Sequence, residues 1–136
     1  MGFVYTKDLI GYMNIFESIA QVKAKDCYDA GNELIFILPP INMARAIGKG
    51  GANVKKLAKL LRKSIKIVEF NEDPIQFIKN FIKPVEGKIY KCPDGVIAIQ
   101  PDNMEGKRIV LGREKKNLAN MQKIVSNYFN TAIKVV

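Results

Sequence analysis

The stretch Ala46 to Leu57, AIGKGGANVKKL, sets three glycines and a lysine directly before a run with helical spacing. Val54, Leu57, Ala58 and Leu61 fall at i, i+3, i+4 and i+7, one face of an amphipathic helix. Glycine tolerates positive φ and, lacking Cβ, lets another strand approach the backbone closely. The turn feeds a helix N-terminus, whose unpaired N–H groups and dipole attract phosphate. Lys49 adds a full charge at the turn tip. A nucleotide-binding P-loop needs Ser or Thr after its lysine, and none follows Lys49. The bland alternative is a helix-turn-helix with a capping glycine, which an isolated Gly-x-x-Gly would favour.

The surroundings weigh against the bland reading. Between Arg45 and Lys66 stand eight basic residues (Arg45, Lys49, Lys55, Lys56, Lys59, Arg62, Lys63 and Lys66) and no acidic one, whereas residues 69–73, EFNED, carry three acids. A lysine-rich helix alone usually only solubilises a protein. Here the run follows a glycine loop in a chain of formal net charge +9, which points to a polyanionic partner.

The 136 residues, 48% hydrophobic and 26% charged, suit one compact domain or two very small ones. No stretch approaches a membrane span, and Lys7, Asp8 and Glu17 near the start argue against a signal peptide, so a soluble cytoplasmic protein is expected. Cys27 and Cys92 cannot form a disulfide framework and read as ordinary packed or half-exposed thiols. The absence of histidine puts the usual zinc sets out of reach and removes the commonest general base. With no convergent carboxylate or nucleophile motif, neither an enzyme nor a bound cofactor or metal is expected.

An internal duplication organises the chain. PINMARAIGKGGANVKKLAKLL (Pro40 to Leu61) and PDNMEGKRIVLGREKKNLANMQKIV (Pro101 to Val125) both begin Pro-x-Asn-Met and then reach Ile-Gly or Leu-Gly. Asn53-Val54 then matches Asn117-Leu118, Leu57 matches Met121, and the closing SIKIV matches AIKVV. Phe16 with Phe81 and Cys27 with Cys92 share an offset of 65. A two-unit tandem repeat follows, with a first domain over 1–70 and a second over 71–136. Units this small are marginal alone, and apolar surface between them would help both.

Each unit opens with a helix. Thr6 is a plausible cap for Leu9, Met13, Phe16 and Ala20, and Asp73-Pro74 for Ile75, Ile78 and Ile82. Paired strands follow at Val22 to Tyr28 and Glu33 to Leu38, then Lys88 to Cys92 and Val96 to Gln100, joined by the turn-forming DAGN and PDG. A short helix from Asn42 or Asn103, the glycine loop, a longer helix and a last strand complete each unit. The fold class is α+β, in the order helix, strand, strand, helix, helix, strand.

A strand, helix, Ile-Gly-x-x-Gly, helix and strand resembles a KH domain, and the order αββααβ resembles its type II form. Two such units with AIGKGGANVKKLAKLL at the loop are similar to the RNA-binding core of the NusA family of transcription elongation and termination factors, in its short archaeal form. The resemblance spans nearly the whole chain. It implies single-stranded RNA as partner, its backbone clamped over about four nucleotides by the loop while bases lie on an apolar groove. The residues it singles out are Arg45, Ile47, Gly48, Lys49, Gly50, Gly51, Val54, Lys55 and Lys56, with Ile47 and Val54 open to either groove or core. The family's polymerase-binding and OB-fold domains have no room in this chain, so RNA polymerase is a partner by resemblance only. Ribosome assembly or RNA decay is the alternative setting for an RNA binder of this kind.

The second unit departs from the pattern. Gly112 is kept, but Arg113-Glu114 replace Lys49-Gly50 and Lys115 stands where Gly51 does. Lys115 would crowd a close backbone and Glu114 would repel phosphate, while Arg113, Lys115 and Lys116 keep the region positive. Unit two therefore binds by side-chain contacts, weakly, or serves to position unit one.

Overall fold

The computed structural model describes residues 7–136, so Thr6, read as the first helix cap, lies outside the described residues. Among the described residues the protein is α+β, with six α-helices and two three-stranded sheets. It divides into two compact units, one ending at Asn71 and the other running from Glu72 to Val136.

The first unit runs α1 (Lys7–Ala20), β1 (Asp26–Asp29), β2 (Glu33–Leu38), α2 (Met43–Ile47), α3 (Ala52–Leu61) and β3 (Ser64–Glu69). Its sheet order is β1-β2-β3, with β1 antiparallel and β3 parallel to the central β2. Parallel neighbours cannot be joined by a tight turn, so the chain between β2 and β3 must make a crossover, which α2 and α3 supply. The central position also explains the uninterrupted apolar run of β2, in which Leu34 to Leu38 are all buried. Leu34, Phe36 and Leu38 form one core with Leu9, Phe16, Ala20, Cys27, Ala46 and Leu57, so both loop-flanking helices are anchored to it. Phe16 stacks on Phe36 with ring centroids 4.5 Å apart. Burial, chiefly, with Asp29 and Asp26 nearby, pushes the Cys27 thiol up to about 12, so it stays protonated and inert.

The first strand is shorter than the sequence suggests. α1 ends at Ala20, and Gln21 takes a left-handed φ of 59°. Residues 22–25 turn the chain back toward the sheet before pairing with β2 is established. The Asn42 side-chain amide donates to the Lys23 carbonyl at 3.1 Å, holding that segment.

The second unit repeats the order with α4 (Pro74–Ile82), β4 (Gly87–Lys91), β5 (Ile97–Pro101), α5 (Met104–Leu111), α6 (Lys116–Tyr128) and β6 (Ile133–Val135). Its sheet, β4-β5-β6, again has an antiparallel first pair and a parallel second. Asp73 caps α4 as expected, its carboxylate accepting from the Ile75 N–H at 3.0 Å, with Pro74 at the first helical position. Phe77 is fully buried and meets the Tyr128 ring edge-on at 5.6 Å.

Two matches of the repeat land on unlike places. Cys27 lies inside β1, whereas Cys92 stands one residue beyond β4. Pro40 opens a short 3-10 turn, whereas Pro101 is the last residue of β5. Asn103 therefore caps α5, accepting from the Gly106 N–H at 2.8 Å, while Asn42 makes no side-chain cap and reaches to Lys23 instead.

Because Phe16 is fully buried between α1 and β2, Phe16→Ala should lower stability by about 3–5 kcal/mol. Urea denaturation followed by circular dichroism measures it, and a loss below about 1 kcal/mol would show that the Phe16–Phe36 stack does not anchor the unit.

Candidate nucleic-acid interface

α2 and α3 are joined through Gly48 to Gly51, and the backbone there determines what each residue can be. Gly48 has φ 76° and ψ 169°, a region open essentially to glycine alone. A Cβ at Gly48 would meet Asn53 at 3.0 Å. Gly50 (φ 62°, ψ 23°) and Gly51 (φ 76°, ψ 19°) are left-handed, and a Cβ at either would find open space. The loop is tied twice. The Gly51 N–H donates to the Gly48 carbonyl at 3.1 Å, and the Asn53 side-chain amide donates to the Arg45 carbonyl at 2.9 Å. The second tie joins the start of α3 to the end of α2, satisfying one of the carbonyls a helix terminus leaves unpaired.

The second unit builds the same turn from different residues. Gly112 has φ 73° and ψ 175°, Glu114 has φ 55° and ψ 30°, and Lys115 has φ 60° and ψ 24°. The Lys115 N–H donates to the Gly112 carbonyl at 3.2 Å, and the Asn117 amide donates to the Ile109 carbonyl at 3.0 Å. The substitution pattern now has a physical cause. Left-handed α is strained but accessible to non-glycine residues, so the positions of Gly50 and Gly51 can change; the position of Gly48 cannot.

The side chains singled out in the sequence fall on a continuous stretch. Arg45 and Ile47 are exposed on α2, Lys49 and Gly50 are exposed at the tip, and Lys55 and Lys56 are exposed on α3. Gly48, Gly51 and Val54 are half-buried, with Val54 one turn from the fully buried Leu57. In the second unit Gly112 is half-buried and Arg113, Lys115 and Lys116 are exposed.

Two basic residues of the run are engaged elsewhere. Lys63 reaches both carboxylate oxygens of Asp29 at 3.0 Å, which holds its ammonium above the ordinary lysine value, and it lies 5.5 Å from the centre of the Tyr12 ring. Lys66 pairs opposite Ile35 within the sheet, where burial pulls it below the ordinary value against the opposing pull of Glu33. Arg45, Lys49, Lys55, Lys56, Lys59 and Arg62 remain exposed. Sequence reasoning missed the tie made by Asn53 and Asn117, although their recurrence after each loop was the available signal. It also missed Ile41, 87% exposed just before α2, and Leu60, 59% exposed on α3.

The two kinds of glycine separate in a stability measurement. Gly51→Ala should cost about 1 kcal/mol, the strain of a left-handed residue in open space. Gly48→Ala should cost about 2–3 kcal/mol, because its conformation is harder to reach and Asn53 must move. Equal urea midpoints for the two variants would contradict this geometry.

A KH-domain family model matches residues 12–90. The chain is 32% identical over 135 residues to the probable transcription termination protein NusA of Methanocaldococcus jannaschii, covering 96% of this chain and 74% of the relative. It is 26% identical to the protein of the same name from Thermoplasma acidophilum, covering 90% and 88%. Among solved structures, the crystal structure of APE1850 superposes with a TM-score of 0.72 at 27% identity over 97% of this chain and all of that one. The glycine loop between two helices, set on a sheet with a parallel second pair, thus sits in a chain that belongs to the KH-domain family of NusA-like proteins.

Proposed function

We propose that this protein is a NusA-like transcription elongation and termination factor that grips single-stranded RNA and catalyses no reaction. On this reading residues 1–70 and 71–136 are tandem type II KH domains, the setting is the cytoplasm, and RNA polymerase is a partner by analogy with the relatives' names. The carrying observation is the tied left-handed turn from Gly48 to Gly51, with Lys49 exposed at its tip. Phosphates lie against the turn and the first N–H groups of α3, where no side chain fills the space beside Gly50 and Gly51. Arg45, Lys55 and Lys56 neutralise the flanking phosphates, and Ile47 and Val54 offer apolar surface to bases.

In the second unit Gly112 keeps the turn, and Arg113, Lys115 and Lys116 supply cations. Glu114 brings a carboxylate to the place of Gly50. That unit therefore contributes less to the grip, through side chains alone.

Lys49→Asp combined with Gly50→Asp should lower affinity for a single strand by about tenfold or more while circular dichroism stays unchanged, since both residues are exposed. In the parent, log K should fall with log salt at a slope of about −0.7 for each phosphate neutralised. Parental affinity in the double variant would remove this loop from the role of clamp.

The matching pair in the second unit, Arg113→Asp with Glu114→Asp, should weaken binding less. Titrating both variants with a short and a long single strand checks this. A larger loss from the second unit would reverse the assignment of the gripping half.

A further inference from the structure

The second unit carries a groove of about 270 Å³ between the turn after α4 and the start of α5. Val85, Glu86, Asp102, Glu105, Gly106 and Ile109 are among the residues that line it. Gly106 allows the two walls to approach, since a Cβ there would meet the Val85 side chain at 3.0 Å. The Asp102 N–H donates to the Glu86 carbonyl at 3.0 Å, fixing the base of the groove. Ile109, 54% exposed, stands at its edge.

The electrostatics of this surface are opposite to those of the chain. Three carboxylates and no lysine or arginine line the groove, in a protein of net charge +9. Glu105 is in the first turn of α5, where a helix dipole favours an acid. Glu86 belongs to a separate segment and has no such reason to be there. Phosphate is repelled from such a surface, so RNA is not its occupant. Among the described residues no group of His, Cys, Asp and Glu is arranged to hold a metal ion, and the groove wall is partly aliphatic.

We infer that this groove docks a basic segment of a protein partner, a lysine- or arginine-rich stretch with an apolar side chain that seats against Val85 and Ile109. Cations of the segment meet Glu86, Asp102 and Glu105, and the complementarity both steers the segment in and excludes nucleic acid. The inference is independent of the RNA reading, because it uses a different surface and the opposite charge.

Panning a random dodecapeptide phage library on the full chain tests it. The enriched peptides should be basic with an apolar anchor, and their affinity should fall about tenfold in Ile109→Asp and in Glu86→Lys, both exposed positions whose folding circular dichroism verifies. RNA affinity of the same variants, measured in parallel, should be unchanged. Enrichment of acidic or uncharged peptides, insensitivity to both substitutions, or displacement of the peptides by RNA would overturn the inference.

Discussion

The turn at Gly48 carries the geometry of the whole binding face. With φ 76° and ψ 169°, the chain leaves α2 in a direction no side-chain-bearing residue takes readily, and the next residues are brought round to start α3. Asn53 then locks the two helices by its amide bond to the Arg45 carbonyl. Ala46 before the turn and Leu57 after it are both fully buried in the same core. The loop is therefore a rigid joint between anchored elements, and its exposed tip is presented without freedom to move independently. Preorganisation of that kind lowers the ordering cost of binding a flexible strand.

Charge on this face is more selective than the count of basic residues implies. Lys63 spends its charge on Asp29, tying the end of the α3 turn to the β1–β2 hairpin. Lys66 lies within β3, its ammonium disfavoured by burial. What remains exposed runs along α2, the loop tip and the outer face of α3. An apolar component accompanies it, since Ile47, Ile41 and Leu60 are exposed nearby in sequence. Cations beside apolar surface suit a ligand with a charged backbone and flat bases better than a uniform lysine patch would.

The order of elements was legible because it rests on local rules: Asp73-Pro74 marks a helix start, glycines mark the hairpins, and ELIFIL can only be a central strand. The loop was legible for the same reason, as glycine at Gly48 and Gly112 answers to backbone geometry. Exact strand limits were not. Val22 and Ala24 look like strand residues because they alternate, but they pack on the core from a turn that only the tertiary path of the chain requires. The Pro-x-Asn-Met match was misleading for a related reason, because identical residues serve a 3-10 turn in one unit and a strand end with a helix cap in the other. The acidic groove left no sequence signal, since Glu86 and Glu105 meet only through the fold.

The second loop shows what the fold enforces when glycine is lost. Each non-glycine residue in left-handed α costs about 1–2 kcal/mol, so Glu114 and Lys115 together oppose folding by a sizeable part of the stability of a small domain. The conformation persists because Gly112 and Asn117 still fix the ends of the turn, and because Val110, Met121, Ile124 and Val125 bury both helices. Packing and the amide tie thus outweigh local preference. The two loops share a backbone and differ in what stands on it: open space and Lys49 in one, a carboxylate and a crowded lysine in the other. A difference in binding between the units is then a matter of side chains at Glu114 and Lys115, with the scaffold held constant.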